Sequence, residues 1–586
     1  MRQREAKLGV DGAATWKEQQ RSAASAAAGR WLDADAAATA LGFTPRRKRL
    51  PYCSALNVVL AAFVLTVPTM VILLGARTRA PAVRVSSSDV VLRGVSGERS
   101  YDKLLGGLLA DGFDERSCRS RYESAMYRRR PGKQPSAYLV AKLRQQEALQ
   151  RRCGPGTVAY SHALEQLRSG KSGGDNTGSP ECKYIVSISY RGLGNRILAT
   201  ASAFLYAVLT GRVLLVDPSN EMGELFCEPF PDTTWLLPPG FPLASYTNFS
   251  VSTAESYGNM VRNKVIRTDA AAAAAGQLPA FAYVHLDHDA TEQDNFFFCD
   301  EDQRVLRNVS WLVMRTDNYI VPGLFLVTGF QEELGRLFPE PDTAFHHVVR
   351  YLFHPNNHVW GLVTRYYDAY LAGAAQRVGI QVRVFGSQPN SPELLEQITR
   401  CTQKERLLPE LLAAAADADP VVVAPAPPGH HRKTKAVLVT SLKSWYYEKL
   451  KGMYWERAAA TGEAVSVHQP SHEEFQRFGA RSHDAKAWAE IYLLSLTDAL
   501  VTTAWSTFGY VAQGLGGLRP WVMYRPDNDT HVPDPPCGRD VSMDPCFHAP
   551  PFYDCRLKRG ADTGKIVPQV QHCIDMSWGL KIIHPR

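Results

Sequence analysis

This sequence has little of what marks several common binding chemistries. It contains no CxxC pair, so no Cys–His zinc pattern can be assembled from it. Of its formal charge of +8, residues 1–49 supply +5, from ten Lys/Arg against five Asp/Glu. No dense basic stripe follows that tail, which argues against a nucleic-acid partner. No complete GxGxxG fingerprint accompanies its one glycine-rich strand-to-helix turn, so a dinucleotide fold is not specified either. Charge itself is missing from one stretch, Leu50 to Ala76, where no Asp, Glu, Lys or Arg occurs.

That uncharged stretch contains SALNVVLAAFVLTVPTMVILLG, long enough to cross a bilayer, which takes about 20 apolar residues. Arg46-Arg47-Lys48-Arg49 abuts its N-terminal side, so the positive-inside rule puts residues 1–49 in the cytoplasm. The expectation is a single-pass signal anchor at 50–76, a Ser-rich stem at 77–100 and a catalytic part in the lumen of the secretory pathway. Two features agree. Ten of the 11 cysteines follow the anchor, an even number in an oxidising compartment. The last four, Cys537, Cys546, Cys555 and Cys573, lie within 37 residues and suggest local cross-links. Asn248, Asn308 and Asn528 each open a glycosylation sequon.

Beyond the stem, residues 101–168 read as helical, and SGKSGGDNTGSP at 169–180 as a linker. Two Ala/Pro tracts, Ala270–Ala275 and 413–433, read as surface insertions. Strand-like runs at 183–190 and 212–217 open one α/β unit. Runs at 379–385, 435–442, 463–467, 499–503 and 521–525 alternate with helical stretches in a second. Such alternation predicts parallel sheets with covered faces. Two units in tandem, 101–375 and 376–586, would leave a ligand cleft between them.

Several residues are placed to do chemistry there. Arg383, near the end of GIQVRVF, could fork onto a diphosphate or simply cap a strand. Glu490 sits inside an apolar helix, where a carboxylate needs donors; guanine offers two, and Lys486 one turn earlier is the plainer partner. Ser506, Thr507 and Phe508 open a helix whose N–H groups suit a phosphate, or form an ordinary cap. In YRGLGNRIL, Gly192 and Gly194 allow a tight turn, and Asn195 and Arg196 would point from it toward the cleft. Asp317, at a strand end in RTDNYIVP, could take a proton or cap a turn. Two DxD strings, Asp287/Asp289 and Asp417/Asp419, are weak metal signals, the second lying in low-complexity sequence.

From about residue 101 to the end, the strings GLGNRIL, LFCEPFPDTTWLLP, RTDNYIVPGLF, YLFHPNNHVWGLVTRYYDAYL, GIQVRVF, YLLSLTDALVTTAWSTFGYVAQGLGGLRPW and PCFHAPPFYDC resemble the plant xyloglucan fucosyltransferase family. That resemblance implies an α/β, GT-B-like architecture of two Rossmann-like lobes, preceded here by one transmembrane helix. It implies GDP-fucose as donor, inversion at the sugar carbon, no required metal or other cofactor, and the 2-hydroxyl of a xyloglucan galactose as acceptor. Arg383 matches the arginine that contacts the diphosphate, and Glu490 the position of an acid that reads guanine. Ser506 and Thr507 match a phosphate-contacting turn, and Asn195 and Arg196 the glycine turn facing the reaction centre. More distant fucosyltransferases have His where this chain has Gln381. Golgi residence, homo-oligomers and Golgi glycosyltransferase partners also follow as expectations. Arabinogalactan protein is an alternative acceptor, and a non-catalytic lectin-like or scaffold role an alternative of another kind.

Overall fold

The computed structural model describes residues 102–170, 182–243, 245–266, 278–384, 389–412, 433–477, 479–525 and 531–585. The anchor at 50–76, the tail and stem on either side of it, the second DxD string and Asn528 lie outside them.

Continuous Val/Ile/Leu runs form two separate sheets. Strands buried on both faces need no polar alternation, which is the pattern of parallel sheets under helical layers. The first has four parallel strands, β1 (Lys183–Ser187), β2 (Arg212–Val216), β3 (Phe281–His285) and β4 (Trp311–Arg315), in the order β2-β1-β4-β3. The second has six: β5 (Gln376–Gln381), β6 (Thr434–Thr440), β7 (Ala464–His468), β8 (Ala499–Thr503), β9 (Trp521–Met523) and β10 (Cys537–Arg539), ordered β10-β9-β8-β5-β6-β7. Only β10 runs antiparallel to its neighbour in these two sheets. The change of sheet falls between β4 and β5.

The helices among the described residues include α1 (Ala137–Cys153), α2 (Leu193–Thr210), α3 (Ala344–Leu352), α4 (Asn357–Tyr366), α5 (Arg481–Ser495) and α6 (Thr507–Gly516). Among the described residues, α2 alone is long and apolar enough to cross a membrane, but it is a core helix, buried along nearly its whole length. Helix α3 is buried at every position, and its Phe345 packs where a Cβ on Gly514 of α6 would come within 2.2 Å of the ring. Helices α4 and α5 meet through Trp360 and Tyr492, ring centroids 5.4 Å apart. One apolar core therefore runs from the first sheet's helices through α3 and α4 into α5 and α6. It fixes the two sheets against each other.

The C-terminal tail corrects an expectation. Only Cys546 and Cys573 pair locally; Cys537 bonds Cys401 and Cys555 bonds Cys299, across 136 and 256 residues. The tail leaves the second sheet and returns to the first unit. Its Asp544 accepts the backbone N–H of Phe345 at 3.1 Å and the Tyr319 hydroxyl at 3.4 Å. Cys118–Cys227 and Cys153–Cys182 complete five disulfides.

Candidate functional site

Two strand-to-helix turns create the site. The first leaves β1 through Arg191, whose φ of +67° is rare for a side chain of that size, and enters α2 at Gly192-Leu193-Gly194. The second leaves β8 through Trp505, also left-handed at φ +61°, and enters α6 behind its N-cap, Ser506. The Ser506 hydroxyl accepts the Gly509 N–H at 3.4 Å. Both helices present unpaired N–H groups and a positive dipole end.

These two N-termini touch. A Cβ on Gly194 would stand 2.7 Å from Thr507 Oγ1, 2.8 Å from its carbonyl carbon and 3.0 Å from the Phe508 nitrogen. Only glycine permits that approach. Asn195 joins the two sides: the Thr507 hydroxyl donates to its Oδ1 at 3.1 Å, and its Nδ2 donates to the Asp317 carbonyl at 3.0 Å. Helix N-terminus, second N-terminus and the end of β4 are thus tied at one point, where an anion is favoured.

Arg383 borders the same point. It lies two residues beyond β5, past the strand end rather than in the strand. Its backbone N–H donates to Thr503 Oγ1 at 3.0 Å, and its Nη2 donates to Gln476 Oε1 at 3.2 Å. Gln476 in turn lies 3.3 Å from where a Gly192 Cβ would be, so the arginine adjoins the glycine turn. Burial pulls its guanidinium below the usual arginine range. Gln381 stays inside the sheet, its Oε1 accepting Thr502 and Thr503 hydroxyls at 2.7 and 3.3 Å.

Glu490 projects from α5, 7% exposed. Its partner is not Lys486, which pairs with Glu473 at 2.5 Å, but the Ser471 hydroxyl, which donates at 2.5 Å. Burial pushes this carboxyl up to about 8.

Arg196 departs from expectation. Instead of facing the cleft it is 2% exposed, its Nη2 bonded at 2.6 Å to Asp484 of α5 and its Nη1 to the Asn220 carbonyl. It is a buried brace between α2 and α5.

A second group of charges lines the ends of β3 and β4. Asp317 stands two residues past β4, 3.6 Å from Arg191 and 3.9 Å from His288, and burial raises it. Asp287 accepts Arg315 Nε at 3.1 Å; burial, then the Asp317 charge, lifts it to about 6. Asp289 bonds His285 Nε2 at 2.7 Å, which holds it down to about 2. The first DxD string is close enough with His285 to share an ion, yet Asp287 and Asp289 already have cationic or histidine partners. Asn248 and Asn308 are themselves exposed, although Val309 and Ser310 of the second sequon are buried.

Gln476, Asp484 and Arg315 escaped sequence reading. None carries a local spacing signal, because each partner lies on another element.

Comparison with known proteins gives consistent relatives. The family described as Xyloglucan fucosyltransferase matches residues 82–556. A galactoside 2-alpha-L-fucosyltransferase of Pisum sativum is 53% identical over 494 residues, 83% of each chain. Its namesake in Arabidopsis thaliana is 55% identical over 484 residues, 82% of this chain and 83% of that one. Among solved structures, a mutant of Arabidopsis thaliana FUT1 in complex with GDP superposes with a TM-score of 0.74 at 54% identity, covering 82% of this chain and all of that one.

Proposed function

Because this chain belongs to the xyloglucan fucosyltransferase family, we propose that it transfers L-fucose from GDP-fucose to the 2-hydroxyl of galactose on xyloglucan side chains. The observation that carries this reading is the contact of Gly194 with Thr507 and Phe508, which brings two helix N-termini and Arg383 to one anion-favouring point between the sheets. In this reading the two sheets are the Rossmann-like lobes of a GT-B-like fold. The diphosphate rests on the N-terminus of α6, and the second lobe supplies the nucleotide contacts.

The reaction joins the acceptor oxygen to the fucosyl carbon and breaks that carbon's bond to the β-phosphate oxygen, with inversion. Positive charge grows on the sugar ring and negative charge on departing GDP. Arg383 and the α6 N-terminus face the leaving diphosphate and stabilise it, the work a divalent ion does in metal-dependent transferases. Asp317 accepts the proton lost by the acceptor hydroxyl; its raised affinity for protons suits a base, and Arg191 and His288 orient it. Glu490, once ionised, accepts the two N–H groups of guanine. We also place the enzyme in the Golgi membrane, as a type II protein anchored by residues 50–76.

The test uses residues 77–586 secreted from a eukaryotic host and labelled GDP-fucose. Label on unfucosylated xyloglucan, equal with and without chelator, is the expected result. Label on arabinogalactan protein alone overturns the acceptor, and chelator sensitivity overturns metal independence. Asp317→Asn is expected to cut turnover at least tenfold in a folded protein; wild-type turnover removes Asp317 as the base.

A further inference from the structure

We propose that Asp575, in the C-terminal tail, is a positioning residue that sets the affinity for the nucleotide-sugar donor by holding the turn into α6. The inference rests on reading that turn as the seat of the donor diphosphate.

The turn needs a holder. Trp505, the residue just ahead of the Ser506 cap, stands at φ +61°, a conformation an L side chain adopts only where its surroundings impose it. What imposes it is one residue 70 positions downstream. Asp575 Oδ2 accepts the Trp505 backbone N–H at 3.1 Å. The same oxygen accepts the Tyr510 hydroxyl at 2.5 Å, from inside the first turns of α6. The Asp575 backbone carbonyl accepts the Trp505 indole N–H at 2.6 Å. Three bonds from one residue therefore grip the helix start from both sides. Arg525 over the Trp505 ring at 4.2 Å and Trp578 at 5.9 Å hold the indole in place.

Asp575 can do this because its own backbone is fixed. It follows Cys573, disulfide-bonded to Cys546, and lies in the connection between paired strands Val570–His572 and Leu580–Ile582. Gly579 closes that connection where a Cβ would meet Cys546 Sγ at 2.5 Å. Tyr510 is further set by His548, 3.0 Å from its hydroxyl. Remove the Asp575 carboxylate and Trp505 is free to return to negative φ, swinging the first N–H groups of α6 off the diphosphate. Asp317 and the acceptor side, on the other sheet, keep their geometry.

The test compares KM for GDP-fucose with KM for xyloglucan, and the Kd of GDP, in full luminal protein. Asp575→Ala is expected to raise the GDP-fucose KM and the GDP Kd about tenfold and leave the acceptor KM within twofold. Asp575→Asn keeps one accepting oxygen, and its amide can take the side of Oδ1, which is buried with no hydrogen bond; it is expected within threefold of wild type. Donor parameters within twofold of wild type in Asp575→Ala overturn the proposal, as does an equal rise in both KM values. Should that variant fail to fold, Tyr510→Phe decides: a selective rise in the donor KM supports the clamp, and unchanged values overturn it. Phe508→Pro, which removes an N–H from the first turn of α6, separates the premise. If it leaves GDP binding intact, the diphosphate is not on α6; if it weakens GDP binding while Asp575→Ala does not, only the clamp fails.

Discussion

At the scale of single residues, Glu490 gives the site a measurable proton balance. Burial lifts its carboxyl to about 8, so the free protein holds it protonated near neutral pH. The proposed contact with guanine N–H donors requires the ionised form. GDP binding should therefore release a proton, and GDP affinity should rise as pH goes from 6 toward 8. Calorimetry in buffers of differing ionisation heat measures this, and Glu490→Gln should abolish it while weakening binding. The stability of the free protein runs the other way. With the folded value above the ordinary 4.5, this group's contribution is complete below 4.5 and is lost as pH rises through about 8. Arg383→Ala should lower turnover per KM by about 10²-fold or more with little change in melting temperature, since in the proposed function the removed group faces departing charge. A stopped assay with a thermal melt separates that from misfolding. Both residues were legible in sequence because each breaks its local pattern, a carboxylate inside an apolar helix and an arginine at an apolar strand end. Arg196 misled for the same reason: an arginine after a glycine turn looks directed at a ligand, and its partner Asp484 is 288 positions away.

At the scale of elements, the contact between α2 and α6 has no slack. Gly194→Ala should force Thr507 and Phe508 back by several tenths of an ångström, costing about 1–3 kcal/mol as overpacking does. Urea unfolding measures that cost, and the KM for GDP-fucose should rise with it, because the two N-termini no longer meet. The strands themselves were readable from continuous apolar runs, but their ends were not. GIQVRVF looks like strand to its last residue, whereas β5 stops at Gln381. Hydrophobicity persists past the strand because Val382 is buried, and burial does not by itself distinguish a strand from the loop that follows it.

At the scale of the whole molecule, the tail matters more than its position in the chain suggests. Local cysteine spacing predicted local staples, and two of the four tail cysteines instead reach back to Cys299 and Cys401. No periodicity records such partners: the Cys299 bond follows from the return of residues after β10 to the first unit, whereas the Cys401 bond ties β10 to the helix Pro392–Lys404 within the second. Replacing Cys299 and Cys555 together by Ser should cost about 2–5 kcal/mol, read as a lowered urea midpoint under non-reducing conditions.

That return path also sets a timetable. A ribosome adding about 5–20 residues per second needs roughly 13–50 s to travel from Cys299 to Cys555, 256 residues on. The first sheet emerges early, yet the cysteine that pairs with Cys299 follows 256 residues later. Throughout that interval the nascent lobe carries an unpaired thiol at Cys299, and relies on whatever shields unfinished chains until Cys555 emerges.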